Sequence, residues 1–76
     1  MSVSKIELAE MIKLYETLFP GETVKAESDF YDLGGDSLAL VTLCAELEEK
    51  LGREVHPSIV LHHPTVSELT EVLSDS

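Results

Sequence analysis

The chain has 76 residues, and its 15 acidic and 5 basic side chains give a formal net charge of -10 at pH 7. This length limits the chain to one small domain with little room for an enclosed active site. The negative charge would repel nucleic acids and anionic lipid headgroups, so we expect neither as a partner. Hydrophobic residues make up 43% and aromatic residues 5%, which is typical of a folded domain with a thin aliphatic core.

Cysteine content and the lack of long apolar segments bear on the cellular compartment. Cys44 is the only cysteine, so no internal disulfide can form and nothing indicates an oxidising environment. No stretch approaches the roughly 18–20 consecutive apolar residues of a membrane span, and the N-terminus has no basic segment followed by an apolar one. We therefore expect a cytoplasmic protein without a membrane segment.

The first predicted helix runs from about Lys5 to Leu18. Ser4 and Glu7 have the spacing of a capping box, in which each side chain satisfies a free backbone N–H at the helix start. Pro20 and Gly21 end the helix. Its apolar residues recur at helical intervals and are Leu8, Met11, Ile12, Tyr15, Leu18 and Phe19.

A long connection follows, from Phe19 to Asp36, in which no clean period is present. Such loops are unusual in a small domain, and they are commonly functional or packed on their own side chains. Val24, Phe30 and Leu33 are apolar enough to turn inward. We therefore predict a loop that is partly folded into the core.

The second predicted helix runs from about Ser37 to Leu51. Asp36 is a good N-cap residue, and Gly52 is well placed to end the helix with a left-handed turn. One face of the helical wheel is apolar, and we predict that it lies in the core. Leu40, Cys44, Leu47 and Leu51 lie along this face, with Leu43 and Val41 at its flanks.

Two further helices complete the chain. Pro57 can begin a short helix that runs to Leu61, because its missing N–H costs nothing at a first helical position. Thr65 and Glu68 again have capping-box spacing and begin a last helix that ends near Ser74. No run of residues indicates a β-strand. The sequence therefore predicts an all-α, four-helix bundle, with three longer helices and one short one, as a single domain over residues 1–76.

The segment DFYDLGGDSLAL, residues 29–40, contains the candidate site. Ser37 lies in the first helical turn, where free N–H groups and the positive end of the helix dipole favour an attached anion such as a phosphate. Gly34 and Gly35 permit positive φ angles and have no Cβ, so another protein can approach the Ser37 hydroxyl closely. The simpler interpretation is a loop that ends in an N-cap, Asp36, before an ordinary serine.

A second feature of this helix favours a binding role. Leu38 lies almost opposite the predicted core face, and an exposed leucine beside an open serine is a candidate contact for another protein. Thr42, Ala45 and Glu49 follow it four, seven and eleven positions later and extend a mixed apolar and acidic face.

Two motifs together resemble a known family. DLGGDSL, followed about 25 residues later by LHHPTVSEL, resembles the acyl and peptidyl carrier protein domains, and the resemblance extends from Ile6 to Leu73. It implies that a phosphopantetheinyl transferase, with Mg²⁺, attaches 4′-phosphopantetheine from coenzyme A to Ser37. The thiol of this arm then holds an acyl or aminoacyl group as a thioester. The resemblance implies a carrier and not an enzyme.

The resemblance also assigns roles to neighbouring residues. Asp36 matches the motif aspartate, which caps the helix and approaches the Mg²⁺ site during transfer, although a purely structural cap is an equal alternative. Leu38 matches the family's exposed docking leucine. Thr42, Ala45 and Glu49 match further docking positions.

Two departures from the fatty-acid branch of the family indicate the pathway. Ala39 and Thr42 stand where that branch usually has acidic residues, and the GGDS form looks more like carriers of nonribosomal peptide synthesis or of a stand-alone specialised pathway. The implied partners are a loading enzyme, either an adenylating enzyme or an acyltransferase, and downstream condensing or tailoring enzymes. We expect a monomer, and Met1 slightly favours a free protein over an excised domain.

Calcium binding and hydrolysis do not fit the residues. A calcium loop beginning at Asp29 would need ligands at its third, fifth and twelfth positions, which are Tyr31, Leu33 and Leu40. Ser37 is not in a G-x-S-x-G elbow, and the chain is too short for the sheet that presents one. We expect no catalytic residue.

A metal site is also not expected. His56, His62 and His63 match no familiar zinc spacing even with Cys44 as a fourth ligand, and Cys44 falls on the apolar face of the second helix. The remaining alternative is an acidic helical module that is never modified and works by docking alone. The GGDSL and HHPT pair favours the carrier.

Overall fold

The computed structural model describes residues 6–75, which form four helices. These are α1 (Leu8–Leu18), α2 (Ser37–Leu51), α3 (Pro57–His62) and α4 (Val66–Asp75). Within residues 6–75 the only extended pairing is an isolated antiparallel bridge between Asp29 and Thr65. No helix in this range has the length and apolarity that a membrane crossing requires. The predicted all-α fold, with three longer helices and one short helix, is confirmed.

Helix α1 begins later than its sequence pattern predicts. Ile6 and Glu7 precede the helix, and the backbone N–H of Glu7 donates to the carboxylate of Glu10 at 3.2 Å. The acidic residue inside the first turn therefore satisfies the N–H just before the helix, as in one half of a capping box. Ser4 and Lys5, on which the earlier predicted start depended, lie outside the described residues.

One hydrophobic core joins the helices, with α1 packed against both α2 and α4, and α2 packed against α3. Three aromatic rings, those of Tyr15, Phe19 and Phe30, meet in it with centroids 5.7 to 6.4 Å apart. Such spacing, with tilted or edge-on rings, is favourable for aromatic pairs. The other buried apolar residues are Ile6, Met11, Leu14, Val24, Leu43, Cys44, Leu47, Leu51, Val55, Val60, Val66, Leu69 and Leu73.

The buried face of α2 differs from the predicted one at its edges. Leu43, predicted at a flank, is fully buried, whereas Val41 is 63% exposed and Leu40 is half-buried. At 3.6 residues per turn, Val41 lies about 110° from the middle of the arc that runs from Leu43 to Cys44. The prediction that Val41 flanks the core is therefore wrong, because its side chain is too far around the helix.

The connection between α1 and α2 is folded into the core, as predicted. Phe30 is only 2% exposed, Val24 is buried, and Leu33 is half-buried against the core. Buried backbone must find hydrogen-bond partners, and this loop finds some of them in the turn before α4. The N–H of Phe30 donates to the carbonyl of Pro64 at 2.9 Å, and the N–H of Val66 donates to the carbonyl of Ser28 at 3.0 Å.

Helices α3 and α4 begin where their sequence signals predict. Pro57 is the first residue of α3, and the His56 ring nitrogen lies 3.4 Å from the N–H of Ser58. Thr65 accepts a hydrogen bond from the N–H of Glu68 at 3.2 Å, so the threonine half of the predicted capping box is present.

Candidate functional site

The loop that leads into α2 makes a tight turn at Gly34. Its φ angle is +94°, and its N–H donates to the carbonyl of Tyr31 at 3.0 Å. The carboxylate of Asp29 accepts the N–H of Tyr31 at 2.7 Å, which fixes the start of the turn. A positive φ favours glycine, so the turn explains the first glycine of the GGDS motif.

Gly35 is required for a different reason. Its N–H donates to the carbonyl of Phe30 at 2.9 Å, and a Cβ on Gly35 would lie 2.3 Å from the Phe30 ring. Unlike Gly34, Gly35 has no positive φ. The sequence suggested that both glycines clear space for an approaching protein. Gly35 instead makes room for a side chain of its own domain.

Asp36 caps α2 and leaves the start of the helix partly open. Its carboxylate accepts the N–H of Ala39 at 2.9 Å, and its carbonyl accepts the N–H of Leu40 at 2.9 Å. Among the residues that the structure describes, no acceptor is present for the N–H groups of Ser37 and Leu38. The N-cap predicted for Asp36 is confirmed.

Ser37 is the first residue of α2, and it is exposed. The first turn of α2 contains no acidic side chain, and the carboxylate of Asp36 is engaged with a backbone N–H. A negatively charged group on the Ser37 oxygen would therefore meet the positive end of the helix dipole and two free N–H groups. The residues present fit a covalently attached phosphate diester.

The outward face of α2 is exposed along its length. Leu38 is 75% exposed, and Thr42, Ala45 and Glu49 are exposed as well. The hydroxyl of Thr42 donates to the carbonyl of Leu38 at 2.9 Å, within the helix. Val41 adds a second large apolar side chain to this face. Sequence reasoning placed Val41 at a flank of the core face, although its angle on the helical wheel lies nearer to Leu38 than to the middle of the buried arc.

The remaining candidate residues do not assemble a site. Among the described residues there is no cluster of three or more histidine, cysteine or carboxylate side chains that could hold a metal ion. His56 caps α3, and Cys44 is buried in α2. Burial, and secondarily the carboxylate of Glu48, raises the pKa of the Cys44 thiol, so this thiol stays protonated.

Comparison with known proteins identifies the family. Residues 7–73 match the model of a family described as "Phosphopantetheine attachment site". The chain belongs to this family. It is a carrier domain of the kind found in nonribosomal peptide synthetases and polyketide synthases, and such domains bear a covalently attached phosphopantetheine arm. A carrier domain is not itself a catalyst.

Two relatives illustrate the similarity of this carrier domain. A nonribosomal peptide synthetase, acrB, of Aspergillus aculeatus is 38% identical over 69 residues, which are 90% of this chain. A phenolphthiocerol/phthiocerol polyketide synthase polypeptide of Mycobacterium tuberculosis is 42% identical over 55 residues, which are 72% of this chain. The carrier domain spans only 4% of the length of each of these relatives.

Solved structures have the same fold as the carrier domain. A nonribosomal PCP domain matches with a TM-score of 0.73 and 31% identity, covering 86% of this chain and 83% of that one. The McyG A-PCP structure, complexed with phenylalanyl-adenylate, matches with a TM-score of 0.83 and 24% identity, covering 97% of this chain and 12% of that one. The predicted resemblance to carrier proteins is therefore confirmed.

Proposed function

We propose that residues 1–76 form one carrier domain and that Ser37 bears its phosphopantetheine arm. We further propose that this domain serves nonribosomal peptide synthesis or related specialised metabolism. The observation that carries the proposal is the exposed Ser37 hydroxyl at the open, capped start of α2, inside the segment that matches the family. The GGDS form of the motif and the synthetase relative support the nonribosomal assignment.

The modification is a phosphoryl transfer catalysed by another protein. The Ser37 oxygen attacks the β-phosphorus of coenzyme A, a new P–O bond forms, and the P–O bond to the bridging pyrophosphate oxygen breaks. Adenosine 3′,5′-bisphosphate leaves, and the hydroxyl proton passes to a base of the phosphopantetheinyl transferase. This chain contributes the oxygen, the free N–H groups beside it and a rigid helix start that presents both.

Once attached, the arm supplies a terminal thiol that holds acyl or aminoacyl groups as thioesters. The chain's own residues position the arm and contact the enzymes that it visits. Asp36 fixes the first turn of α2 by accepting the N–H of Ala39. Leu38 and Val41 give a visiting enzyme apolar contacts beside the attachment point, with Thr42, Ala45 and Glu49 further along the same face.

The proposed partners are a phosphopantetheinyl transferase, a loading enzyme and downstream condensing or tailoring enzymes. The relatives in peptide and polyketide synthases support this set, in which the loading enzyme is either an adenylating enzyme or an acyltransferase. The net charge of -10 favours basic partner surfaces and would repel a second copy, so we propose that the carrier domain works as a monomer.

Mass spectrometry tests the attachment. Incubation with coenzyme A, Mg²⁺ and a broad-specificity transferase should raise the mass of the chain by about 340 Da, the mass of one phosphopantetheine group. Ser37→Ala should show no increase. Ser67→Ala is the matched control, because Ser67 is also an exposed serine in the first turn of a helix, and it should be modified normally.

Two results would contradict the proposal: an unchanged mass for the unsubstituted chain, or a full gain in Ser37→Ala. The first of these would favour the alternative of an unmodified acidic module that works by docking alone.

A further inference from the structure

The imidazole ring of His56 supplies the side-chain cap at the start of α3. Its Nδ1 atom lies 3.4 Å from the backbone nitrogen of Ser58 and 3.1 Å from the Ser58 hydroxyl oxygen. A backbone N–H can only donate, so Nδ1 is the acceptor and carries no proton. The ring is therefore neutral in this arrangement, with its proton on Nε2.

We propose that His56 is a proton-operated cap, which closes the first turn of α3 when the ring is neutral and releases it when the ring is protonated. A protonated Nδ1 can still bond the Ser58 hydroxyl, now as the donor, but it leaves the Ser58 N–H without this acceptor. The charge on the ring also faces the positive end of the helix dipole, which is unfavourable. Both effects weaken the same turn.

The charged groups of the elements packed around His56 do not compensate for its charge. Among residues 6–75, no carboxylate oxygen lies within 4.0 Å of a nitrogen of the His56 ring. Helix α2 packs against α3, and its nearby carboxylate, that of Glu48, accepts the N–H of Val55 at 3.0 Å. The guanidinium of Arg53 donates to the carbonyl of Leu73 in α4 at 2.7 Å. Both groups are thus engaged with the backbone.

The remaining titratable groups close to α3 in the chain separate the His56 effect from other effects of acid. Glu54, two residues before His56, is exposed. His62 is the last residue of α3, and His63 is its C-cap. Positive charge at the carboxyl end of a helix is favourable, so protonation of these two histidines would strengthen α3. A weakening of α3 in mild acid would therefore point to His56.

The turn that His56 closes leads into an apolar part of α3. Val60 is fully buried in the core, whereas Leu61 is 42% exposed. Histidine is the side chain that ordinarily changes its charge between about pH 5 and 8. Loss of a side-chain N-cap shifts a helix-opening equilibrium about two- to thirtyfold. A modest fall in pH would thus loosen α3 where it packs against α2.

Amide hydrogen exchange of the unmodified chain at about pH 7.5 and about pH 5 tests the proposal. Protection factors correct for the effect of pH on the exchange chemistry itself. For the amides of α3, including that of Ile59, which donates to the His56 carbonyl at 3.0 Å, they should be about threefold or more lower at the lower pH. The amide signal of Ser58 should shift in step with the signals of the His56 ring.

His56→Asn separates the proton from the cap. Asparagine is a good N-cap residue, and its amide oxygen remains an acceptor at both pH values. This variant should keep α3 and lose the difference between the two pH values. His62→Asn is the matched control at the other end of α3, and it should retain the difference.

Three results would overturn the proposal. These are equal protection of α3 at both pH values in the unsubstituted chain, a difference that persists in His56→Asn, and a difference that disappears in His62→Asn. None of the measurements requires an arm on Ser37, so they are independent of the proposed function.

Discussion

At the scale of single residues, the two glycines of the GGDS motif illustrate how adjacent identical residues meet different demands. Gly34 has a φ of +94° and open space around it, whereas Gly35 faces the ring of the buried Phe30. Sequence alone suggested that both glycines open the approach to the Ser37 hydroxyl. The contact with Phe30 depends on how the loop folds into the core, which no local pattern reports.

Gly35→Ala should destabilise the domain by about 1–3 kcal/mol, because the added Cβ overpacks the core against Phe30. Urea unfolding would measure the change in the free energy of unfolding. A smaller side chain at position 30 should relieve this overpacking. Phe30→Leu should therefore lower the free energy of unfolding less in the Gly35→Ala background than in the unsubstituted chain.

Gly34→Ala provides the control for that cycle. Its cost comes from the positive φ and not from a neighbour, since nothing lies within 4 Å of the added Cβ. Its effect should therefore add to that of Phe30→Leu without coupling. Equal coupling in both pairs would show that the Phe30 contact is not the cause.

Leu38→Ala tests whether the exposed leucine serves partners. Leu38 is 75% exposed, so its truncation should change the free energy of unfolding by no more than about 0.5 kcal/mol. The rate of modification by the transferase should fall. Leu43→Ala, in the same helix but fully buried, should instead cost about 2–5 kcal/mol. A large loss of stability in Leu38→Ala would argue against a surface role.

At the scale of elements, the turn before α4 supports the loop that carries the motif. The carbonyl of Pro64 accepts both the N–H of Phe30 and the hydroxyl of Tyr15, at 2.9 and 3.3 Å. This is a structural reason for the second motif, LHHPTVSEL, to accompany GGDSL. One motif supplies the site, and the other holds the loop in front of it.

Tyr15 makes this junction sensitive to alkali. Burial, and secondarily the carboxylate of Asp29, raises the pKa of the Tyr15 phenol above its usual value. The folded state thus holds this proton more tightly than the unfolded chain, in which tyrosine has a pKa of about 10. The contribution of Tyr15 to the free energy of unfolding is therefore fully present below about pH 10 and is lost as the pH rises above that value.

Tyr15→Phe should flatten this alkaline decline while costing about 0.5–1.5 kcal/mol at pH 7 for the lost hydrogen bond. Urea unfolding at a series of pH values from 8 upward would measure the free energy of unfolding and show whether its decline is flatter in the variant. Tyr31→Phe, at an exposed position, should retain the decline. An unchanged decline in Tyr15→Phe would assign the alkaline effect to other groups.

The helices were predictable where local signals act alone. Asp36 before Ser37, Gly52 after Leu51 and Pro57 at the start of α3 each satisfy a backbone requirement within a few residues, and the structure has all three boundaries. The loop's hydrogen bond to Pro64, by contrast, joins residues far apart in sequence. Hydrophobic periodicity carries no information about such pairs.

At the scale of the whole molecule, the outward face of α2 exposes two large apolar side chains, those of Leu38 (75% exposed) and Val41 (63% exposed). A partner enzyme that docks on this face would remove both from water.

The charge of the molecule acts over a longer distance. A net charge of -10 on a chain of 76 residues accelerates encounters with basic surfaces, and salt screens the effect beyond about 8–10 Å. Short-lived visits to several enzymes suit this kind of attraction, because it speeds association more than it slows release.

The buried cysteine has a consequence for the lifetime of the cargo. Thioesters exchange readily with accessible thiolates, and a reactive cysteine on the carrier would capture the acyl group from its own arm. Cys44 is 7% exposed, and its pKa is raised. The Cys44 thiol is therefore a poor acceptor for an acyl group held on the arm, and this favours retention of the cargo.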